Sequence, residues 1–311
     1  MTETRRHRLR NLAQSALLLA GMGGIVWLVT SWWAGPGWTL ALVGATIAGL
    51  ALAPSVPRRY LLSAYRARPL RPQEFPRGAA LVKALAERAG LPRPPELWYV
   101  PSRLPNAFAI GSPRESVICV SDGLLRLMAP RELAGVLAHE TAHIAHRDLW
   151  VMGLADGLTR LVSIAAWLGT FLIILYLPLM LTGAVGFPWH VPLVLIFAPT
   201  LMALLQRALS RNREFDADLG AVGLTGDPAG LASALAKLEA RSGRMWEEIL
   251  LPGRRIPEPS LLRTHPPSSE RIARLRDLAT REARPLPGTS PPRLRAPIPA
   301  PPGFRRSGMW F

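Results

Sequence analysis

Four long apolar runs, arranged as two pairs, limit what this chain can fold into more than any other feature. Leu12–Trp33 and Trp38–Val56 make the first pair, and Leu161–Leu181 and Val191–Leu209 the second. Each run is about 20 residues, the length a helix needs to cross a bilayer core. The connecting segments, Gly35-Pro36-Gly37 and TGAVGFPWH, carry no Lys, Arg, Asp or Glu. The outer flanks are basic: MTETRRHRLR and Arg58, Arg59, Arg66, Arg68 and Arg71 around the first pair, Arg160 and then Arg207, Arg211 and Arg213 around the second. Cytoplasmic flanks of membrane helices collect Arg and Lys, so each pair predicts a helical hairpin with both ends in the cytoplasm. Trp32, Trp33 and Trp38 at the first turn suit the far interface. The first run is too long for a signal peptide and lacks a small-residue cleavage site, so it reads as a retained span.

The net charge is +16, and all basic residues except Lys83 and Lys237 are arginine. They gather at the edges of the apolar runs and in the tail. No basic stripe interleaved with aromatics appears, so the charge points to topology and a lipid bilayer, with no specific nucleic acid partner. Cys119 is the one cysteine. It excludes an internal disulfide and a cysteine-based zinc site, and reads as a small buried strand residue.

Between the pairs the sequence is of a soluble α/β kind. Residues 76–90 predict a helix with Leu81, Leu85 and Ala89 at helical spacing and Gly90 as its stop. Residues 96–100, 107–110 and 116–120 predict strands. Ser121-Asp122-Gly123 opens helical sequence, and Pro130 fits the first turn of the next helix. After the second pair, helices are predicted at 228–241 and 269–283. From Arg284 the chain is rich in Pro and Arg without apolar periodicity, which predicts disorder. The expected organisation is a transmembrane hairpin at 1–57, a first domain part at 58–160, a second hairpin at 161–209, a second domain part at 210–283 and a tail at 284–311.

The chemistry concentrates in the first domain part. His139 and His143, in the segment HETAH, stand four residues apart, so a helix puts both imidazoles on one face. They can share one zinc ion, and Glu140, offset by about 100°, can take the proton of a water activated by it. This is the HExxH pattern. A third ligand is needed. His146 and Leu149 do not fit a third histidine at the metzincin spacing, so a glutamate from a later helix is the alternative. Ser210-Arg-Asn-Arg-Glu214-Phe-Asp-Ala-Asp218 supplies Glu214, with Asp218 one turn on. His146, a turn beyond His143, reads as solvent-facing or as a neighbour of the ligands. Asp148 reads as a local cap or pair. The HETAH helix is expected to end about a dozen residues before the second hairpin, with Asp156 and Arg160 pairing on an intervening turn. Glu214 follows that hairpin by a few residues, which predicts zinc within one or two helical turns of the membrane surface.

HETAH, a membrane hairpin, SRNREFDAD and then THPPSSERIARL at 264–275 resemble the M48 peptidase family, and within it the HtpX-like bacterial heat-shock membrane proteases. The resemblance runs from residue 12 to about 280. It implies a mainly helical α+β integral membrane protein with four transmembrane helices and a cytoplasmic gluzincin-type protease domain with a small sheet. It implies His139, His143 and Glu214 as ligands of one zinc ion, Glu140 as general base and Asp218 as a carboxylate orienting a ligand histidine. His265, in the T-H-P stretch, is implied as an oxyanion stabiliser, with a structural role as the alternative. Arg271 is expected in a structural ion pair. Asn106, Ala107, Phe108 and Ala109 resemble the family's edge strand, to which an extended substrate would add by main-chain pairing. The function implied is a zinc metalloendopeptidase of the bacterial inner membrane, N-terminus and active site cytoplasmic, acting on misfolded or misassembled membrane proteins in a stress response. The alternatives are a non-proteolytic zinc-binding membrane scaffold and a processing protease for lipidated peptides.

Overall fold

The computed structural model describes residues 13–29, 58–183, 190–249 and 268–282, with positions 37 and 44 standing alone. The expected span at 38–56, His265 and the tail at 284–311 lie outside the described residues. The chain divides into two compact units, residues 1–55 with 150–213 and residues 56–149 with 214–311.

The first unit is helical. It comprises α1 (Ala13–Val29) and the larger parts of α6 (Asp148–Leu181) and α7 (His190–Thr225). Met22, Val26 and Val29 of α1 pack against Ala155, Leu158 and Val162 of α6 and Ala198, Met202 and Leu209 of α7. A buried polar link sits among these contacts, Asn212 Nδ2 donating to Ser15 Oγ at 2.9 Å. The outer faces are also apolar: Trp27, Leu28, Ile164, Trp167, Phe171, Ile196, Phe197 and Leu204 are exposed. A helix apolar on every side is what a bilayer accommodates. By length and composition, Asp148–Leu175 and Val194–Thr225 suffice to cross a membrane, and α1 is a shorter apolar helix.

One expectation needs correction. The chain does not leave a dozen residues of turn between the HETAH helix and the second hairpin. Helix α6 begins at Asp148 and runs unbroken for 34 residues. Asp156 and Arg160 sit on it as an i,i+4 pair at 2.8 Å. That spacing supports a helix as well as a turn, and no proline interrupts the segment before Pro178.

The second unit holds a four-stranded sheet in the order β1-β2-β4-β3. Strands β2 (Glu96–Val100) and β4 (Glu115–Ser121) are parallel, with Trp98 opposite Cys119. Strand β3 (Ala107–Ser112) pairs antiparallel with β4, Phe108 opposite Cys119. Strand β1 (Arg68–Pro69) is two residues long, too short and too exposed to be read from periodicity. Alternation sorts the two faces. Leu97, Ala107, Ala109, Ile118 and Val120 join the main core with α3 (Pro76–Arg88) and α5 (Pro130–Ala145). Val100, Ile110, Val117 and Cys119 face α2 (Arg58–Ala64) through Leu62, with Phe108 and Tyr65 beside them. Cys119 is fully buried there and forms no disulfide.

The capping chemistry follows local sequence. Ser121 Oγ accepts from Leu124 N at 3.1 Å and starts α4 (Asp122–Leu127). Gly90, at φ +68, ends the turn after α3. Pro130 opens α5, and Glu132 accepts from Ala129 N at 2.8 Å. The same carboxylate holds Ser233 and Lys237 of α8 (Pro228–Ile249), at 2.6 and 2.7 Å. Arg131 binds Asp227, whose Oδ1 also accepts from Gly230 N at 2.9 Å at the start of α8. Helix α8 lies close on α5, because Gly135 faces the backbone of Leu231. Helix α9 (Ser268–Glu282) joins the core with Ile272 and Leu275.

Candidate metal centre

Helix α5 carries the centre and is buried along most of its length, including His139 and Glu140. The C-terminal part of α7 crosses it where both side chains are small. A Cβ added to Gly220 would lie 2.8 Å from Ala142 Cβ, and Ala217 and Ala221 beside it are fully buried. This close approach brings Glu214 and Asp218 onto the histidine face of α5.

His139, His143 and Glu214 each place a ligand atom within 4.8 Å of the others, the one such group of three among the described residues. The two Nε2 atoms are 3.0 Å apart, and the rings are nearly perpendicular. Glu214 reaches both, Oε2 at 3.3 Å from His139 Nε2 and Oε1 at 3.6 Å from His143 Nε2. Two imidazole nitrogens and a carboxylate turned toward one point form a set of lone pairs that repel unless a proton or cation lies between them. A divalent transition metal fits this donor set, and two histidines with one glutamate are an open zinc site.

The ring nitrogens on the far side are also occupied. His139 Nδ1 lies 3.0 Å from Asp218 Oδ1, and His143 Nδ1 lies 2.7 Å from Asp148 Oδ2. Arg271 of α9 ties the acidic groups together. Its Nε and Nη2 donate to Asp218 at 2.7 and 2.6 Å, and Nη1 lies 2.8 Å from Glu214 Oε2. The guanidinium is almost fully buried. Burial disfavours its charge, but Asp218, Glu214 and Glu140 outweigh that and hold its pKa above the ordinary value. Burial likewise disfavours protonated His139, yet Asp218 and Glu214 push its pKa up to about 10.

The sequence-predicted residues divide as follows. His139, Glu140, His143, Glu214 and Asp218 come together. His146 caps the C-terminus of α5 and packs by Gly220, outside the ligand group. Ala107, Phe108 and Ala109 belong to β3, an edge strand among the described residues, and Ala107 and Ala109 share the main core with α5. Asn106 precedes that strand, its N–H donating to Ser121 Oγ at 2.8 Å. From sequence alone Asp148 has only a local cap or pair, and Arg271 an ion pair with no named partner. For Arg271 no local signal exists, since it lies 53 residues from Asp218. For Asp148 the only signal is its distance of five residues from His143.

The chain is similar to known proteins over most of its length. Residues 72–279 match the family model described as Peptidase family M48. A protein named "Protease HtpX homolog" from Kineococcus radiotolerans is 35% identical over 297 residues, covering 88% of this chain and 98% of the relative. Namesakes from Methanocaldococcus jannaschii and Thermococcus kodakarensis are 37% and 39% identical over 258 and 243 residues, covering 75% and 71% of this chain and 87% and 80% of theirs. Among solved structures, the crystal structure of S. mikatae Ste24p aligns with a TM-score of 0.44 at 20% identity, over 87% of this chain and 66% of that one. That likeness is too loose to carry an argument. Breadth of match, identity to the relatives and the intact His-His-Glu group together establish that this chain belongs to peptidase family M48.

Proposed function

We propose that the chain is a membrane-bound zinc-dependent endopeptidase in which His139, His143 and Glu214 hold the metal and Glu140 is the general base. The observation that carries this reading is the convergence of two Nε2 atoms and one carboxylate beside a buried Glu140. A structural metal site has no need of that glutamate. Zinc held by these three groups would supply a Lewis acid that polarises a peptide carbonyl and acidifies water.

The remaining chemistry belongs to the chain. Glu140 accepts a proton from the water that attacks the scissile carbonyl and returns it to the departing amine nitrogen. Asp218 stands 3.0 Å behind Nδ1 of His139, where its carboxylate favours the N–H on Nδ1 and so turns Nε2 to the ligand side. Arg271 holds Glu214 Oε2 and both oxygens of Asp218, which fixes the two carboxylates against each other. Residues 106–109 present an edge to an extended polypeptide, and His265 stabilises the oxyanion. The substrates in this reading are cytoplasmic loops or ends of misassembled membrane proteins, consistent with a chain whose apolar helices suit a bacterial cell membrane.

Metal analysis of the full-length protein tests the reading. Wild type should purify with about one zinc per chain and cleave an unfolded substrate, as the three-ligand site requires. Glu214→Ala should lose the metal, and Glu140→Gln should keep it and lose cleavage. Cleavage surviving in Glu140→Gln would refute the assigned base.

A further inference from the structure

Asp148 stands at the junction of α5 and α6. Helix α5 ends at Ala145, His146 is its cap, and α6 begins at Asp148 itself. The break between them falls on Arg147, at φ +57. This is left-handed backbone, which glycine adopts freely and a side chain resists. Left-handed residues commonly end helices, and glycine usually fills the position. Here Arg147 N donates to Ile144 O at 3.1 Å while carrying a full side chain. Strain of this kind persists where surrounding contacts over-determine it, and it gathers at functional sites.

This break returns the next side chain to the helix just left. Asp148 Oδ2 reaches His143 Nδ1 at 2.7 Å, a length typical of a charge-assisted hydrogen bond. The carboxylate is 4% exposed. Its counterpart on the other ring is Asp218, which approaches His139 Nδ1 from α7 at 3.0 Å. The two rings are thus anchored from behind by two carboxylates on different helices, and only their Nε2 atoms remain to converge.

We infer that Asp148 is the positioning residue for His143: it accepts a hydrogen bond from Nδ1–H, fixes the tautomer and turns Nε2 toward Glu214. This rests on the His139–His143–Glu214 metal site proposed above. A residue that merely caps α6 would direct its oxygen to N–H groups of its own helix, and loss of such a cap would leave the ring of His143 unaffected. Without the carboxylate, His143 can present either nitrogen, and the lone pair at Nε2 is no longer assured. Outer partners of this type shift metal affinity by about ten- to a hundredfold.

The test uses full-length protein in detergent, stripped of metal and titrated with Co2+, followed by the visible absorption of the bound ion. Wild type should bind one Co2+ with an intense band set. Asp148→Asn should bind about ten- to a hundredfold more weakly, with a shifted band, while Asp156→Asn, on the same helix, should match wild type. Wild type that binds no Co2+ at this site would sink the metal reading itself. Wild type that binds, with Asp148→Asn identical in affinity and spectrum, would overturn only the role of Asp148. A measurement without any variant covers the case in which Asp148→Asn does not fold. Wild type labelled with 15N-histidine and loaded with 113Cd should show coupling to Nε2 of His143, and coupling to its Nδ1 would overturn the inference.

Discussion

Gly220→Ala adds one methyl where α7 crosses α5. The new Cβ would stand 2.8 Å from Ala142 Cβ and 3.2 Å from His146 Cε1, against 3.4–4 Å for ordinary contact. Ala142 has no rotamer to turn aside, so the helices must part by about 0.6 Å, the shortfall from 3.4 Å. Two terms then oppose each other in stability. Overpacking costs about 1–3 kcal/mol, and replacing glycine within a helix recovers about 1 kcal/mol. Net destabilisation should therefore be about 0–2 kcal/mol, a small change in unfolding temperature. The metal centre is less forgiving. Glu214 and Asp218 lie on α7, six and two residues before Gly220, while His139 and His143 lie on α5. Metal–ligand distances tolerate about 0.2 Å, so a shift of this size should weaken zinc binding at least about tenfold and lower cleavage by about a hundredfold, the penalty typical of a 1 Å misplacement. Thermal unfolding of metal-free protein and zinc competition with a chromogenic chelator would separate the two effects. Wild-type zinc affinity and activity in a folded Gly220→Ala protein would refute the claim that this crossing sets the position of Glu214.

Other expectations follow from the same contacts. Glu140→Gln should lower cleavage about 10²–10⁴-fold without changing zinc content, measured on one preparation by peptide turnover and metal analysis. Arg271→Gln leaves Asp218 and Glu214 buried with their shared cation gone. The metal-free protein should lose about 3–5 kcal/mol, and zinc should recover part of it, as read from denaturant unfolding with and without metal. Acid should loosen α8 from α5. Burial raises the pKa of Asp227, but Arg131 and the Gly230 N–H outweigh it, and Lys237, Ser233 and the Ala129 N–H do the same for Glu132, so both carboxylates sit below their ordinary range. With folded values depressed, their contribution is complete above the unfolded value of about 4 and is lost as pH falls through the folded values. Melting temperatures between pH 7 and pH 3 should show this, and Asp227→Asn should flatten the acid limb.

The sequence by itself determined whatever repeats at short range. Two histidines at i and i+4 share a helix face wherever that helix lies, so His139 and His143 were legible from spacing. Alternation around Cys119 and the apolar runs at 161–181 and 191–209 were legible for the same reason. Glu214 and Asp218 were legible because they too are one turn apart and stand in a recognisable motif. Tertiary structure alone decided which of the acidic residues serves which ring. Arg271 meets Asp218 and Glu214 across 53 residues or more, and no period links positions that far apart. Gly220 became decisive only when it faced Ala142 on another helix. Asp148 was hidden differently. It lies five residues from His143, but an unbroken helix would carry it off the ligand face. Only the left-handed turn at Arg147 brings it back, and an arginine carries no sequence signal for that backbone. The continuity of α6 from Asp148 onward likewise shows only in the structure, where Ala155 and Leu158 pack into the core of the first unit.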